Sequence, residues 1–448
     1  MGKIKESSQI KKEEEQKMKR SMFYVLTLVA AFSLVFASCA GAVTLNFLLY
    51  ADASMPAGRV EQDVVAAFEA AYPDIELKIE TLYDEAFHEK LAALAAAGAL
   101  PDVMTLWPGG KRSGYLYEAG LIEDLYPYLG AEKANFVPGA VASQYEGKLM
   151  ELPMGAGCAT QVLFVNTELL DQLGMAMPQT FEEFKAMAPG INAAGLIPLI
   201  MPNKESWVMQ CSLFSTIVGR IAGTEWLMDA IAGVNSFTDS EFVRSLEIVQ
   251  EFYATGLIPV SSIQLAYGDS PPLFTEGEGV FMIDGDWRVG DFTATGGLMY
   301  DAPEEQAKIK LTVVPDFADQ VGPSSSTALV ATTGLGMKAG LSPEKAEAAF
   351  KLVRFYAGPE AARIRVAAGG GMAGIAPSYK YLDLSGIELS PLTVEIIGFY
   401  AKHPGTPVLD AVIVGDPIER INNGLQELGL GQITPEQLAA EVEAAFAR

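Results

Sequence analysis

Residues 44–106 read TLNFLLYADASMPAGRVEQDVVAAFEAAYPDIELKIETLYDEAFHEKLAALAAAGALPDVMTL, and this stretch decides the fold. The opening TLNFLLY is apolar enough for a buried strand. Val60, Val64, Val65, Phe68 and Tyr72 then recur at helical spacing until Pro73-Asp74 breaks the helix. Ile75, Leu77 and Ile79 alternate as a second strand, 85–97 is an alanine-rich helix stopped at Gly98, and 103–106 forms a third strand after Pro101-Asp102. This β-α-β-α-β order predicts a mainly parallel sheet covered by helices, with ligands bound beyond the carboxyl ends of the strands. Residues 50–58, 82–84 and 107–112 occupy those ends.

Downstream, a second α/β unit begins at 161–165 (QVLFV), after the turn-rich 153–157, and helical patterns follow over 181–194 and 240–253. In FTEGEGVFMIDGDW (274–287) the apolar run 280–283 lies between glycines, which suits a strand delivering Asp284, Asp286 and Trp287 to an edge or cleft. An ordinary turn with a half-buried tryptophan is the plainer alternative. Residues 343–356 read as a helix with Ser342 as N-cap and Gly358-Pro359 as stop, and 435–446 as a closing amphipathic helix. A chain of 448 residues exceeds one ordinary core, so two compact units are expected.

Charge removes several function classes. The chain has 31 basic and 56 acidic residues; seven of the former and four of the latter precede residue 21, leaving a net of −28 over residues 21–448. Such a surface repels phosphate backbones, so nucleic acid is not an expected partner. His88 and His403 are the only histidines, too few for most zinc sites and unfavourable for a Ser-His-Asp hydrolase. No phosphate-binding loop and no metal motif is found, and neither cofactor nor metal is expected.

Residues 21–38 (SMFYVLTLVAAFSLVFAS) are uncharged, follow Lys17, Lys19 and Arg20, and give way to small residues, the pattern of a signal sequence. The apolar run is near the lower limit for spanning a bilayer, so an uncleaved anchor is the alternative. Val35-Phe36-Ala37-Ser38-Cys39 resembles a bacterial lipobox, with Cys39 as the lipidated first residue of the mature protein and Phe36 as a departure. Ala40-Gly41-Ala42 offers a second cleavage site that would leave the protein unlipidated, and Met18 offers a second start. Beyond the anchor remain Cys158 and Cys211, for which an exported compartment permits either a disulfide or two buried thiols.

Seven ordered segments together resemble the extracellular solute-binding protein family 1, the group that contains maltose- and other oligosaccharide-binding proteins of bacterial ATP-binding-cassette importers. They are AFEAAYPDIELKIE (67–80), KLAALAAAGALPDVMTLW (90–107), YEGKLMELP (145–153), LFVNTELLDQLGMAMPQTFEEF (163–184), LFTEGEGVFMIDGDW (273–287), SPEKAEAAFKLVRFYAGPEAA (342–362) and ITPEQLAAEVEAAF (433–446). The resemblance implies the type II periplasmic binding protein fold: two α/β lobes, each a mainly parallel sheet covered by helices, with a ligand cleft and hinge between them. Lobe 1 is expected at 39–156 plus 332–378, lobe 2 at 157–331 plus 379–448, and a signal peptide at 1–38. It also implies a monomer outside the cytoplasm, in the periplasm or on the cell surface, that hands a mono- or oligosaccharide to the transmembrane subunits of a permease.

A sugar presents apolar C–H faces and a rim of hydroxyls, so its site needs aromatic platforms and a few fixed donors and acceptors. Trp107, Trp207 and Trp287 match positions where the family often carries tryptophan; partial core burial is the plainer role for each. Trp226 matches none and is assigned to the core. Asp52, Asp84, Gln161 and Asp286 fall at expected strand ends as hydroxyl partners, with a solvated loop carboxylate as the alternative for the acids. Lys111 and Arg112 are candidate donors, and Gly370 in the run Gly369-Gly370-Gly371 would let backbone N–H groups approach a ligand, although glycine runs also merely turn the chain. Gly155-Ala156-Gly157-Cys158-Ala159-Thr160 stands where the family usually has polar or acidic residues, which leaves the particular sugar open.

Capture without catalysis is therefore the leading expectation. A binding protein for a cationic solute such as a polyamine, or for calcium, is the nearest rival, with Asp52, Asp84, Asp284 and Asp286 as its ligands. Two further classes are a secreted carbohydrate enzyme that uses two of these carboxylates as acid and base, and a lipoprotein serving adhesion or signalling.

Overall fold

A computed structural model describes residues 42–107, 112–155, 157–369 and 377–446. The leader with Cys39, Lys111, Gly370 and the side chain of Asp84 lie outside the described residues. Strand β1 (Val43–Tyr50) forms as its apolar run predicts and pairs in parallel with β2 (Ile75–Leu82), Val43 opposite Ile75 and Tyr50 opposite Leu82. On its other side it pairs in parallel with β3 (Val103–Leu106). Strand alternation sends Leu45, Phe47 and Leu49 to one face, against Val64 and Phe68 of the helix Pro56–Ala71 and Leu352 and Val353 of the helix Pro343–Tyr356. Leu48 points the other way and joins Met104, Leu106 and, from the helix Asp84–Ala96, Phe87 and Leu91. Ser342 caps its helix as expected, its hydroxyl accepting from the Lys345 N–H at 3.4 Å.

The second unit repeats these layers. β6 (Val162–Asn166) lies between β8 (Gly279–Asp284) and β9 (Ile309–Thr312), and β8 also pairs with β7 (Ile197–Ile200). Leu163, Val165, Phe281 and Ile283 face Phe184 of the helix Phe181–Ala193 and Phe252 of the helix Ser240–Ala254. On the reverse face, Phe164, Met282 and Leu311 meet Ile396 and Phe399 of the helix Pro391–Tyr400.

Two α/β units are present, but the sheets are mixed rather than mainly parallel. β11 (Gly334–Met337) inserts between β3 and β4 (Leu152–Pro153), antiparallel to both, and β6 is antiparallel to β8 and β9. The chain leaves the first unit along β4 and re-enters it along β11, so those two strands must run in opposite directions. Between the units, β10 (Thr327–Val330) pairs with β5 (Cys158–Ala159) and β12 (Gly405–Pro407) in a small third sheet.

Leu335 on β11 is fully buried opposite Thr105 and Leu152 and belongs to a core that the returning segment must complete. Leu335→Ala is expected to cost about 2–5 kcal/mol of stability through lost burial and a residual cavity. Urea unfolding followed by circular dichroism measures it, and a loss well under 1 kcal/mol would show that β11 is not an integral strand.

Candidate functional site

A cavity of about 270 Å³ opens where the carboxyl ends of β1, β3 and β8 meet the segments crossing between the units. That is just below the range of about 300–1,000 Å³ usual for ligand pockets. The first unit lines it with Tyr50 to Asp52, the start of the helix Pro56–Ala71, and Trp107; the second contributes Trp207, Cys211, Tyr267, Trp287, Arg288 and Asp291.

Its walls are aromatic on both sides. Tyr50 packs at 4.8 Å between ring centres against both Tyr83 and Trp107, and His88 lies 4.6 Å from Trp107. Across the cavity, Trp207 lies 4.9 Å from Tyr267, whose hydroxyl accepts from the Trp287 indole N–H. Gly285 is required here because a Cβ at that position would overlap the Trp287 ring. Trp207 opens a helix running over 207–221 that contains a π-helical turn, Gln210–Phe214, and the Cys211 carbonyl in that turn accepts from the Thr160 hydroxyl at 2.8 Å. The Trp107 backbone is held at its N–H by Ser113 Oγ, while the Tyr117 hydroxyl, 3.4 Å from the Trp107 carbonyl, donates its one proton chiefly to Glu151 at 2.6 Å.

The guanidinium groups of the wall are engaged within the protein. Arg288 donates from Nε to Asp284 at 2.6 Å, from Nη1 to Asp291 at 2.9 Å and from Nη2 to the Tyr267 carbonyl at 2.7 Å. Arg365 holds both oxygens of Glu61, at 2.8 and 2.7 Å, and donates its remaining nitrogen to the Tyr356 carbonyl at 2.9 Å. Arg112 pairs with Glu85 at 2.7 Å. Burial pushes the Asp291 carboxyl and the Cys158 thiol upward. Cys158 and Cys211 are not joined in a disulfide, and both are buried in the cavity wall.

Among the residues expected from sequence, Trp107, Trp207, Trp287, Asp52 and Arg112 meet at the cavity, whereas Trp226 stacks on Phe242 in the second core. Asp286 and Gln161 do not line it. The Asp286 carboxylate lies beneath the turn, accepting from the Ala159 N–H at 3.1 Å, the Tyr400 hydroxyl and the Cys158 thiol. Thr160, in the bend between β5 and β6, lines the cavity, whereas Gln161 beside it does not and is 1 % exposed. Nor do Asp284 and Asp286 form a cation cage with Asp52, because Arg288 and Tyr400 take up their carboxylates. For Asp84 only the backbone is described, at the start of its helix, while Lys111 and Gly370 lie outside the described residues. Reasoning from sequence did not identify Tyr267, Arg288, Asp291, Glu61 or Arg365. Arg288 had a signal, since it stands four residues after Asp284 and three before Asp291 in a helical turn; Glu61 and Arg365 had none, being 304 residues apart.

Burial raises the Asp286 carboxyl to about 6, against the lowering pull of its hydrogen bonds. The folded protein therefore holds this proton more tightly than the unfolded chain does. The stability it contributes is present below about pH 4 and is lost as pH rises to about 6. Measured relative to neutral Asp286→Asn, the wild-type urea midpoint is expected to fall between pH 4 and pH 6 and to level off above pH 7. A difference constant over that range would overturn the assignment.

Residues 63–383 match the sequence model of the family described as bacterial extracellular solute-binding protein. The galactooligosaccharide-binding protein of Bacillus subtilis is 27 % identical over 241 residues, covering 52 % of this chain and 54 % of that one. The maltotriose-binding protein of Pyrococcus abyssi is 23 % identical over 244 residues, 53 % of this chain and 49 % of its own. The chain thus spans about half the length of these relatives. In fold, it is similar to a solved chitin oligosaccharide binding protein, with a TM-score of 0.75, 23 % identity and coverage of 89 % of this chain and 98 % of the other. A sugar transporter from Bacillus licheniformis in complex with stachyose gives a TM-score of 0.65 at 17 % identity, covering 90 % and 98 %.

Proposed function

Because this chain belongs to the bacterial extracellular solute-binding protein family, we propose that it is the binding component of an ATP-binding-cassette importer and that its cavity takes a carbohydrate. One observation carries the ligand class: Tyr50 and Trp107 from one unit face the same small cavity as Trp207 and Trp287 from the other. Flat rings on both sides suit the C–H faces of a pyranose, and Asp52, Thr160, Thr332 and Asp410 on the wall suit its hydroxyls. The names of the relatives, which bind galactooligosaccharide and maltotriose, support the same class. A cationic solute is not favoured, since the named relatives are sugar-binding proteins, while Glu61 is paired with Arg365 and Asp284 and Asp291 share Arg288.

Family membership puts the protein outside the cytoplasm. We assign residues 39–156 plus 332–378 to one lobe and 157–331 plus 379–448 to the other, an assignment supported by the two sheets and their separate cores. Lobe closure over the sugar would present the loaded form to the permease, and lipidation of Cys39 would tether a monomer to the membrane. No bond is made or broken in this scheme: the protein captures and releases.

Differential scanning fluorimetry against neutral mono-, di- and trisaccharides tests the reading, because a ligand that binds only the folded state raises its melting temperature. At least one sugar is expected to raise it by several degrees. Trp207→Ala and Trp287→Ala are each expected to weaken that sugar roughly tenfold or more, the usual cost of removing a central aromatic anchor. A folded protein unmoved by the whole panel would defeat the carbohydrate reading.

A further inference from the structure

We propose that Glu151 is a positioning residue for the Trp107 platform: one proton on its carboxyl decides whether the Tyr117 hydroxyl ties down the Trp107 carbonyl, and so how firmly that ring meets a sugar, an inference that rests on the carbohydrate reading above. Glu151 stands just before β4, fully buried behind the cavity wall. Its Oε1 accepts from Gln144 Nε2 and its Oε2 from the Tyr117 hydroxyl, each at 2.6 Å, so both partners are uncharged. The Gln144 amide is fixed in orientation, because its oxygen accepts the Met150 and Glu151 N–H groups at 2.7 and 3.0 Å. A proton added to Glu151 therefore sits on Oε2, facing Tyr117.

A tyrosine hydroxyl has one proton to give, and Tyr117 has two acceptors before it, Glu151 and the Trp107 carbonyl. While Glu151 is ionised the proton goes to the carboxylate, the stronger acceptor, and the 3.4 Å to Trp107 is too long for a full O–H···O bond. Once Oε2 is protonated it donates to the Tyr117 oxygen, and the Tyr117 proton is released toward the Trp107 carbonyl. Tyr117 itself stays protonated throughout, since burial and the neighbouring carboxylate push its hydroxyl far upward. Ser113 already holds the Trp107 N–H at 3.3 Å, so both backbone groups of Trp107 are then tied. Burial lifts the Glu151 carboxyl to about 7, against the lowering pull of Tyr117, which puts the exchange at neutral pH. β11 opposes β4 with Gly334 and Leu335, which do not ionise. The other titratable groups beside this network are Tyr145, 6.1 Å from the Tyr117 ring and acted on by Glu146 and Glu118, and His88, 4.6 Å from Trp107. A sugar that favours the firm ring favours the protonated carboxyl, so binding draws a proton from solvent onto Oε2.

Titration calorimetry on the unmodified protein tests this, with galactobiose and maltotriose as first probes and then the neutral sugar that most raises the melting temperature. Affinity is expected to fall roughly threefold or more from pH 6 to pH 8. At pH 7, heats measured in phosphate and in Tris, which differ in ionisation enthalpy, are expected to show net proton uptake. Glu151→Gln sets a permanent N–H donor against Tyr117 and mimics the protonated acid. Its affinity is expected to be flat from pH 6 to pH 8 and at pH 8 to exceed that of the wild type roughly threefold, although Asp286 and His88 still titrate. Tyr117→Phe is expected to be equally flat but weak at every pH. Wild-type binding without a pH slope or proton uptake, a slope that survives in Glu151→Gln, or a Glu151→Gln weaker than wild type at pH 8 overturns the proposal and leaves the carbohydrate reading standing. If no neutral sugar binds at any pH, the carbohydrate reading fails and the role of Glu151 with it.

Discussion

The cavity exists because the chain crosses between its two units at a point where the crossings hold one another. Thr332 is the clamp: its hydroxyl accepts from the Gly155 N–H at 2.6 Å and donates to the Gly155 carbonyl at 3.0 Å, while the Met154 N–H reaches the Thr333 carbonyl at 3.0 Å. Ser378 ties a third crossing to the same place through the Pro153 carbonyl at 2.6 Å. Outward and return segments are thus paired as they leave β4 and enter β11, and the sheet order of the first unit follows from that pairing. Aromatic rings from residues as far apart in sequence as Tyr50 and Trp287 face one space because these crossings fix the units side by side.

Around that space, charge is arranged as a frame rather than as bait. An unpaired buried guanidinium would cost several kcal/mol, and Arg288 and Arg365 avoid that cost by donating from every nitrogen to a carboxylate or a carbonyl. Removing one partner would leave the other buried and alone, so each cluster holds its neighbours in a single geometry. Arg288 lies 3.8 Å over the Tyr267 ring, and Tyr267 in turn accepts from Trp287, so the ion pair helps to fix the Trp287 ring in the cavity wall. Glu61, gripped by Arg365, fixes the first helix against the helix Pro359–Ala367 and thereby the loop that carries Asp52.

Local signals in the sequence were strong where one element decides its own shape. The strand at 103–106, the cap at Ser342 and the helix Pro343–Tyr356 follow from runs of fewer than twenty residues, and the structure has them within a residue or two. Strand direction was not legible, because it depends on where a returning segment inserts, and nothing within GLGM announces that it will lie between β3 and β4. At the cavity, tryptophan positions were readable from motif context, whereas the facing of Asp286 and Gln161 depended on the local path of the turn after β8 and of the bend between β5 and β6. Partners such as Glu61 and Arg365 are joined only by the fold.

Placing platforms on both units would couple ligand binding to their separation. A ring on one side alone would hold a sugar equally well with the units apart, and a ligand with equal affinity for two states shifts nothing between them. With Tyr50 and Trp107 on one wall and Trp207 and Trp287 on the other, a ligand would touch all four rings only with the walls together. Other contacts between the units do not touch the cavity: Arg59 donates to the Gly296 carbonyl at 3.3 Å and the Thr295 N–H to the Ala368 carbonyl at 3.1 Å. These bonds hold the two units in this arrangement without touching the cavity. If the units separate in the absence of ligand, observed affinity would be the intrinsic grip of the aromatic walls multiplied by the fraction of molecules with the walls together, and residues such as Arg59 would raise that fraction without meeting the ligand.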